Sequence, residues 1–146
     1  EMRLGHVTGA AWSDRLPENV SDCEGRIHAY FEGEAVTFTD IDLDMTRVNA
    51  FNAKVYTALR DVGWGQTTSY GALARQIGDP HAARAIGAAM GKNPWPLVVP
   101  CHRMLAASGK IGGFSAYGGR ATKRKMLRLE QSDADGAAPI LPGLFD

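Results

Sequence analysis

The chain has 146 residues, enough for one hydrophobic core, and its 45% apolar and 22% charged residues are ordinary proportions for a folded protein. This composition excludes wholesale disorder, and no apolar run approaches the ~20 residues that a membrane-spanning helix needs. The formal net charge is zero, which excludes a strongly acidic partner only if the charges are spread evenly along the chain.

The charges are in fact segregated. Residues 1–44 hold three basic and ten acidic side chains, residues 45–130 hold thirteen basic and three acidic ones, and residues 131–146 hold three acidic and no basic ones. The three segments therefore carry −7, +10 and −3. A basic module between acidic flanks is typical of proteins that bind polyanions, and it is also compatible with a plain solvated surface.

Cysteine usage predicts neither a disulfide scaffold nor a metal site. Cys23 and Cys101 are the two cysteines, and they lack the spacing of metal ligands. Cys23 with His28, or the aspartates of residues 40–44, could be read as ligands, but neither group completes a zinc or calcium set. We predict no metal and no cofactor. The first residues show no secretory signal, so we expect a reducing compartment: the cytoplasm, or the nucleus in a eukaryote.

The first predicted elements are a helix and an extended segment. Residues 17–31 have the apolar side of a helix, which Glu32-Gly33-Glu34 ends. Residues 35–43 alternate like a strand, and a switch of parity indicates a bend near Thr39.

A helix-turn-helix is predicted in the basic module. Apolar residues recur at helical spacing from Thr46 until just before Gly63. Ser69 is a suitable N-cap for a short second helix that ends at Gly78. Asp79-Pro80 then opens a third helix, which runs to about residue 90. Two short helices joined by a tight connection have the form of a helix-turn-helix.

Small residues dominate the third predicted helix, and its interior Gly87 costs about 1 kcal/mol relative to alanine. This composition is compatible with close packing against another helix. It is equally compatible with a helix backbone that approaches a narrow surface such as a DNA minor groove, with Arg84 as the one long side chain able to enter a base stack.

A candidate nucleophile follows a proline-bounded run. Residues 97–99 are apolar and lie between prolines, which predicts a buried extended segment that holds Cys101 in one place. His102 and Arg103 follow directly, and a basic environment of this kind favours the thiolate. Cys101 is thus either a reactive thiol or an inert buried cysteine.

The rest of the chain is predicted as loops, one helix and a tail. Residues 104–119 are rich in small residues and predict loops suited to a wing or a pocket rim. Residues 120–130 predict a helix with a basic face, formed by Lys123, Arg124, Lys125 and Arg128. Glu130 is either a surface ion-pair partner or a carboxylate that orients an imidazole. Residues 131–146 read as a loose acidic tail.

The segment Pro100-Cys101-His102-Arg103 resembles the active-site motif of the O6-alkylguanine-DNA alkyltransferases, also called methylated-DNA–protein-cysteine methyltransferases. Further motifs in the order and spacing of that family are residues 68–74, 82–87, 93–94 and 112–115, so the resemblance covers roughly residues 46–130. It implies an α+β fold with a winged helix-turn-helix-like DNA-binding and active-site domain at 46–130. A shortened amino-terminal α/β segment at 1–45, a remnant or partial domain, would precede it.

The function that the resemblance implies is direct-reversal DNA repair. An alkyl group would move irreversibly, in a single turnover, from O6-alkylguanine or O4-alkylthymine in double-stranded DNA to Cys101, after the nucleotide is flipped out from the minor groove. The alternative is a non-catalytic alkyltransferase-like module that binds lesions. No membrane partner is expected. The expected form is a monomer, with cooperative assembly on DNA left open.

The resemblance also implies individual roles. Cys101 would be the nucleophile, His102 its base through a bridging water, and Glu130 the carboxylate that holds His102. Asn93 would tie the recognition helix to the active-site strand, and Tyr70 would donate to the leaving purine. Arg84 would fill the gap in the duplex. The other residues implied in DNA or substrate binding are Gly71, Ala83, Trp95, Arg103, Ser108, Phe114 and Ser115.

Overall fold

The computed structural model describes residues 18–112 and 118–130. Within them the order of elements is α1 (Glu18–Phe31), α2 (Ala50–Leu59), β1 (Thr68–Ser69), α3 (Tyr70–Gln76), α4 (Ala83–Gly91), a 3₁₀ helix (Cys101–Arg103), β2 (Met104–Leu105) and α5 (Gly119–Leu129). The two short strands pair in parallel, with Thr68 opposite Met104. None of the helices in this part of the chain is long and apolar enough to cross a membrane. The fold is α+β and rich in helix, as expected.

Side-chain caps determine where two of the helices begin. The side chain of Asn49 accepts a hydrogen bond from the amide of Asn52, so α2 begins four residues after the start of its apolar pattern at Thr46. Ser69 Oγ accepts from the amide of Ala72 at 3.1 Å, which confirms it as the N-cap of α3.

The helix-turn-helix is present, but its connection is longer than predicted. Gly78 has a φ of +83°, as the end of α3 requires. The amide of Ala82 bonds to the carbonyl of Asp79 at 3.1 Å, whereas the bond from Ile86 to Ala82 has helical i→i−4 spacing. Asp79-Pro80 therefore forms a single tight turn, and the prediction that it opens the helix is wrong by three residues, because α4 begins at Ala83.

The segment before Cys101 is a turn rather than the predicted extended run. The amide of Val99 bonds to the carbonyl of Trp95 at 2.8 Å, and Leu97 has a left-handed φ of +76°. Left-handed backbone costs a side-chain-bearing residue roughly 1–2 kcal/mol. The side chain of Leu97 is buried in an apolar cluster, and burying a leucine contributes about 1.5–3 kcal/mol, which offsets that cost.

Two apolar cores connect the described elements, beside a small third cluster of Leu105, Ile111 and Leu127. The larger one lies among α2, α3 and α4 and includes Cys101. The second brings α1 and the loop after it against α5, through Tyr30, Phe38, Leu97, Met126 and Leu129. The end of α1 and the loop after it are therefore packed onto α5.

The loop after α1 turns at the predicted position. The amide of Ile41 bonds to the carbonyl of Phe38 at 3.2 Å, which confirms the bend near Thr39. Residues 35–43 do not pair as a strand with any described residue. Arg60 Nη2 donates to the carbonyls of Phe38 and Ile41, so a guanidinium takes the place of a neighbouring strand.

Candidate active site

Cys101 lies at the start of the 3₁₀ helix, just after a tight backbone reversal. Its amide bonds to the carbonyl of Val99 at 2.8 Å, and Pro100 between them has φ −80° and ψ 66°, the geometry of an inverse γ-turn. The residue is 6% exposed. The proline-bounded segment thus holds the sulfur in one place, as predicted, although it does so with a turn.

Asn93 joins α4, the second helix of the helix-turn-helix, to the turn that carries Cys101. It lies two residues after the end of α4. Its Nδ2 donates to the carbonyl of Val99 at 2.9 Å, and its Oδ1 accepts from the amide of Trp95 at 2.9 Å. Its side chain also lowers the pKa of the Cys101 thiol. One amide therefore connects α4 to the turn and acts on the thiol.

Burial raises the pKa of the Cys101 thiol above its usual value. The side chain of Asn93, the positive charge of Lys123 and the backbone amides of Cys101 and His102 oppose this effect without reversing it. The basic neighbourhood predicted to favour the thiolate is present through Lys123, but burial outweighs it in the resting protein.

His102 and Glu130 form a fully buried pair. His102 Nε2 lies 2.6 Å from Glu130 Oε1, and both residues are 0% exposed. Burial lowers the pKa of His102 despite the adjacent carboxylate, so the imidazole is neutral at physiological pH. An ionised carboxylate only accepts, so Nε2 carries the proton and Nδ1 is left as an acceptor. Nδ1 is buried and has no hydrogen-bond partner among the described residues.

Arg103 is directed at Glu130 and away from the surface. Its Nε donates to Glu130 Oε2 at 2.9 Å, its Nη2 to Glu130 Oε1 at 2.9 Å, and its Nη1 to the carbonyl of Val62 at 2.6 Å. The residue is 6% exposed. Its predicted contact with DNA or substrate therefore needs correction, because its donors face the protein interior. Burial alone would raise the pKa of Glu130, but the hydrogen bonds from His102 and Arg103 outweigh it and lower that pKa to about 2.

Two buried residues at the site were not singled out from the sequence. Tyr30 Oη donates to Glu130 Oε1 at 2.7 Å across a separation of 100 residues. Its only signal in the sequence is its place on the apolar side of α1. Lys123 is 0% exposed, and its Nζ donates to the carbonyl of Met104 at 2.5 Å. The prediction that Lys123 belongs to a basic surface is wrong, since α5 turns it inward.

Tyr70 is the first residue of α3 and is half-buried. Burial and the neighbouring Cys101 raise the pKa of Tyr70, so its hydroxyl stays protonated and able to donate. A Cβ at Gly87 would lie 3.9 Å from the ring of Tyr70, so α4 passes close to it.

The other predicted contact residues are dispersed. Arg84 and Ser108 are exposed, whereas Gly71 and Ala83 are half-buried. Trp95 packs edge to face on Tyr56, with ring centroids 6.2 Å apart. Phe114 and Ser115 lie outside the described residues.

Comparison with known proteins gives consistent matches. The family model for the DNA-binding domain of 6-O-methylguanine DNA methyltransferase matches residues 50–132. The chain is 46% identical over 130 residues to the methylated-DNA–protein-cysteine methyltransferase of Mycobacterium tuberculosis, spanning 89% of this chain and 74% of that protein. It is 41% identical over 104 residues to a DNA base-flipping protein of Thermus thermophilus, spanning 71% and 68%. The crystal structure of Mycobacterium tuberculosis OGT in complex with DNA matches with a TM-score of 0.70 and 45% identity, over 82% of this chain and 68% of that one.

A helix-turn-helix packed against a buried cysteine, histidine and glutamate defines a DNA-binding protein with a cysteine active site. The matches in sequence and structure specify it further: the chain belongs to the methylated-DNA–protein-cysteine methyltransferase family. Its function is DNA repair by alkyl transfer, and DNA is its partner.

Proposed function

We propose that Cys101 accepts the alkyl group of O6-alkylguanine in double-stranded DNA and that each molecule acts once. The observation that carries this proposal is the placement of a buried thiol next in sequence to a neutral imidazole whose other nitrogen is held by Glu130 at 2.6 Å. A neutral imidazole with a free Nδ1 can take a proton from the thiol as sulfur attacks. We propose that a water bridges the two groups.

The transfer moves one proton and exchanges one bond to the alkyl carbon for another. The thiol proton leaves Cys101 and reaches His102 Nδ1 through the bridging water. Sulfur forms a bond to the alkyl carbon, and the bond from that carbon to guanine O6 breaks, leaving its electron pair on the purine. A proton returns to the purine, to which Tyr70 donates a hydrogen bond. The products are guanine and a thioether on Cys101, which has no leaving group that would restore the thiol.

Lys123 supplies the charge that the attacking sulfur needs. Its ammonium is buried, and Cys101 and Lys123 each shift the pKa of the other towards the charged form. A cation next to a developing thiolate in a water-poor site stabilises that charge more than it would in water. Burial lowers the pKa of Lys123, and the charge of Cys101 opposes this effect. The Nζ of Lys123 also donates a hydrogen bond to the carbonyl of Met104.

The recognition surface is α4 with its exposed Arg84. We propose that this helix enters the minor groove and that Arg84 occupies the place of the flipped nucleotide, as the family resemblance implies. Flipping costs a few kcal/mol, and phosphate contacts of exposed basic residues offset that cost. The exposed basic side chains of residues 45–130 are Arg47, Lys54, Arg75, Arg84, Lys92, Lys110, Arg120, Arg124 and Lys125.

We further propose a monomer that works in a reducing compartment such as the cytoplasm. Both cysteines are free thiols, and alkyl transfer requires Cys101 to remain one. A lesion-binding role without chemistry is the less favoured function, because the nucleophile Cys101 is present. The relative named as a DNA base-flipping protein keeps a non-catalytic lesion-binding module as the second candidate function.

Mass spectrometry after incubation with a duplex containing O6-methylguanine tests the proposal. We expect the intact protein to gain one methyl group per molecule and the duplex to lose it, in a 1:1 ratio. The Cys101→Ser variant should gain none, whereas Cys23→Ser, which changes a half-buried thiol on α1, should react like the parent protein. Tight binding with unchanged mass would support the lesion-binding module, and repeated turnover would exclude a single-use acceptor.

A further inference from the structure

The carboxylate of Glu130 contacts three donor residues from two separate parts of the chain, α1 and the 3₁₀ helix. Its Oε1 accepts from Tyr30 Oη at 2.7 Å and lies 2.6 Å from His102 Nε2, and Arg103 binds both oxygens at 2.9 Å. Tyr30, His102 and Glu130 are all 0% exposed. Tyr30 and His102 therefore share one oxygen atom in a site without bulk solvent.

The position of the Tyr30 hydroxyl is determined by the packing of its ring. The ring lies edge to face against Phe31, Trp64 and His102, with centroid distances of 5.1, 5.4 and 6.3 Å. Burial raises the pKa of Tyr30 far above its usual range, and the charge of Glu130 adds to this effect. The hydroxyl therefore stays protonated at physiological pH and donates to Glu130 Oε1.

We infer that Tyr30 is a positioning residue for alkyl transfer: its hydroxyl orients Glu130 and limits how strongly that carboxylate acts on His102. The inference rests on the proposed function in so far as His102 is the base for Cys101. Tyr30 itself does not touch the reacting atoms.

Electrostatics predicts whether the pKa of His102 rises or falls when the Tyr30 hydroxyl is removed. The charged and titratable groups that face His102 are Glu130, Arg103, Lys123, Cys101 and Tyr30. Arg103 and Lys123 disfavour an imidazolium, and Glu130 favours it. A hydroxyl donor on Glu130 Oε1 takes up part of that oxygen's negative charge. Without it, Glu130 acts more strongly on His102 and raises the proton affinity of Nδ1.

Through Tyr30, the acidic amino-terminal segment positions a carboxylate of the active site. Tyr30 lies on α1, outside the matched residues 50–132. The sequence predicts residues 1–45 as a remnant or partial domain, yet α1 supplies a direct hydrogen bond to the carboxylate of the active site. This segment also covers the buried pair, since Tyr30 packs on His102.

The test is the Tyr30→Phe substitution in the full chain, which keeps the ring and removes only the hydroxyl. Two quantities are measured: the pKa of His102 by NMR of its ring nitrogens, and the pH dependence of the single-turnover methyl-transfer rate. We expect the pKa of His102 to rise by on the order of half a unit to one unit. The acid limb of the rate profile should move to higher pH by a similar amount, because the base must be neutral to act.

Tyr56→Phe is the matched control. It removes another buried tyrosine hydroxyl, which donates to the carbonyl of Ala89 at 2.7 Å, so its loss of thermal stability should be comparable. It should leave the pKa of His102 unchanged. If Tyr30→Phe lowers the melting temperature like Tyr56→Phe and leaves the pKa of His102 unchanged or lower, the inference is overturned. If His102 shifts as expected while no protein transfers methyl, the coupling is supported and the proposed function fails.

Discussion

At the scale of single residues, two buried basic side chains near the site have different partners. Arg103 and Lys123 are both basic and both buried, but Arg103 binds Glu130, while Lys123 donates to the carbonyl of Met104 and its charge lowers the pKa of Cys101. Sequence proximity to the cysteine would assign the opposite roles, because Arg103 lies two positions from Cys101 and Lys123 lies far along the chain. The charge that reaches the sulfur comes from the distant residue.

Replacement of Lys123 by methionine tests that assignment. Methionine keeps a long side chain and removes the ammonium, so the pKa of Cys101 should rise further and transfer at neutral pH should slow by about tenfold for each unit of that rise. A small free modified base serves as substrate, so that DNA contacts do not enter the rate. Ultraviolet absorbance of the thiolate, in a Cys23→Ser background, gives the pKa.

The control for Lys123 is Lys125→Met on the same helix. Lys125 is exposed, so its loss should leave both the pKa of Cys101 and the rate with the free base unchanged. Equal rates for the two variants would show that Lys123 contributes only packing and its bond to Met104.

At the scale of elements, α4 combines two uses of small residues. Ala82 and Ala89 are buried in the larger core, whereas Ala85 and Ala88 are exposed beside Arg84. The buried face confirms close packing inside the protein, and the approach of the exposed face to a narrow surface stays a prediction. The inner face explains the packing, and the outer face stays available for DNA.

Gly87→Ala separates these two uses at one position. The added Cβ would meet the ring of Tyr70 at 3.9 Å, an ordinary contact, so the folded protein should become more stable by about 1 kcal/mol through helix propensity. We expect the affinity for duplex DNA to fall at the same time, because the added methyl group keeps the surface of α4 farther from the DNA. Denaturant unfolding and a DNA-binding titration measure the two effects.

Gly91→Ala, at the end of α4, is the comparison for Gly87→Ala. Its added Cβ meets nothing within 4 Å, so it should leave DNA affinity unchanged. Undiminished affinity in Gly87→Ala would mean that this glycine serves packing inside the chain alone.

At the scale of the whole molecule, the buried pair makes folding depend on pH. Folding lowers the pKa of His102 below its unperturbed value of 6.5. Between 6.5 and that lower pKa, the unfolded chain binds one more proton than the folded chain, so the free energy of unfolding falls as pH falls. Glu130 acts in the same direction at lower pH: its pKa is 4.5 when unperturbed and about 2 in the folded chain, which corresponds to about 3 kcal/mol lost across that interval.

The free energy of unfolding, measured with denaturant from pH 8 to pH 4.5, should therefore be constant above pH 6.5 and decline below it. His102→Gln should flatten that decline, since glutamine does not titrate and can still donate to Glu130. His81→Gln, at an exposed histidine in the helix-turn-helix connection, should retain it. If the free energy of unfolding of His102→Gln declines with pH as steeply as that of the parent protein, groups other than His102 cause the acid sensitivity.

The features that could be predicted before the fold was known are local or contiguous: the Ser69 cap, the helix-turn-helix and the neighbouring Cys101 and His102. Caps and apolar periods act between residues a few positions apart, so they can be read from the chain. The folded chain was needed to show that Leu97 adopts a left-handed turn, that Arg103 and Lys123 are buried, and that Tyr30 binds Glu130. Each of these depends on burial in a core built from distant segments, and burial determines which charges meet and which polar groups must find a partner.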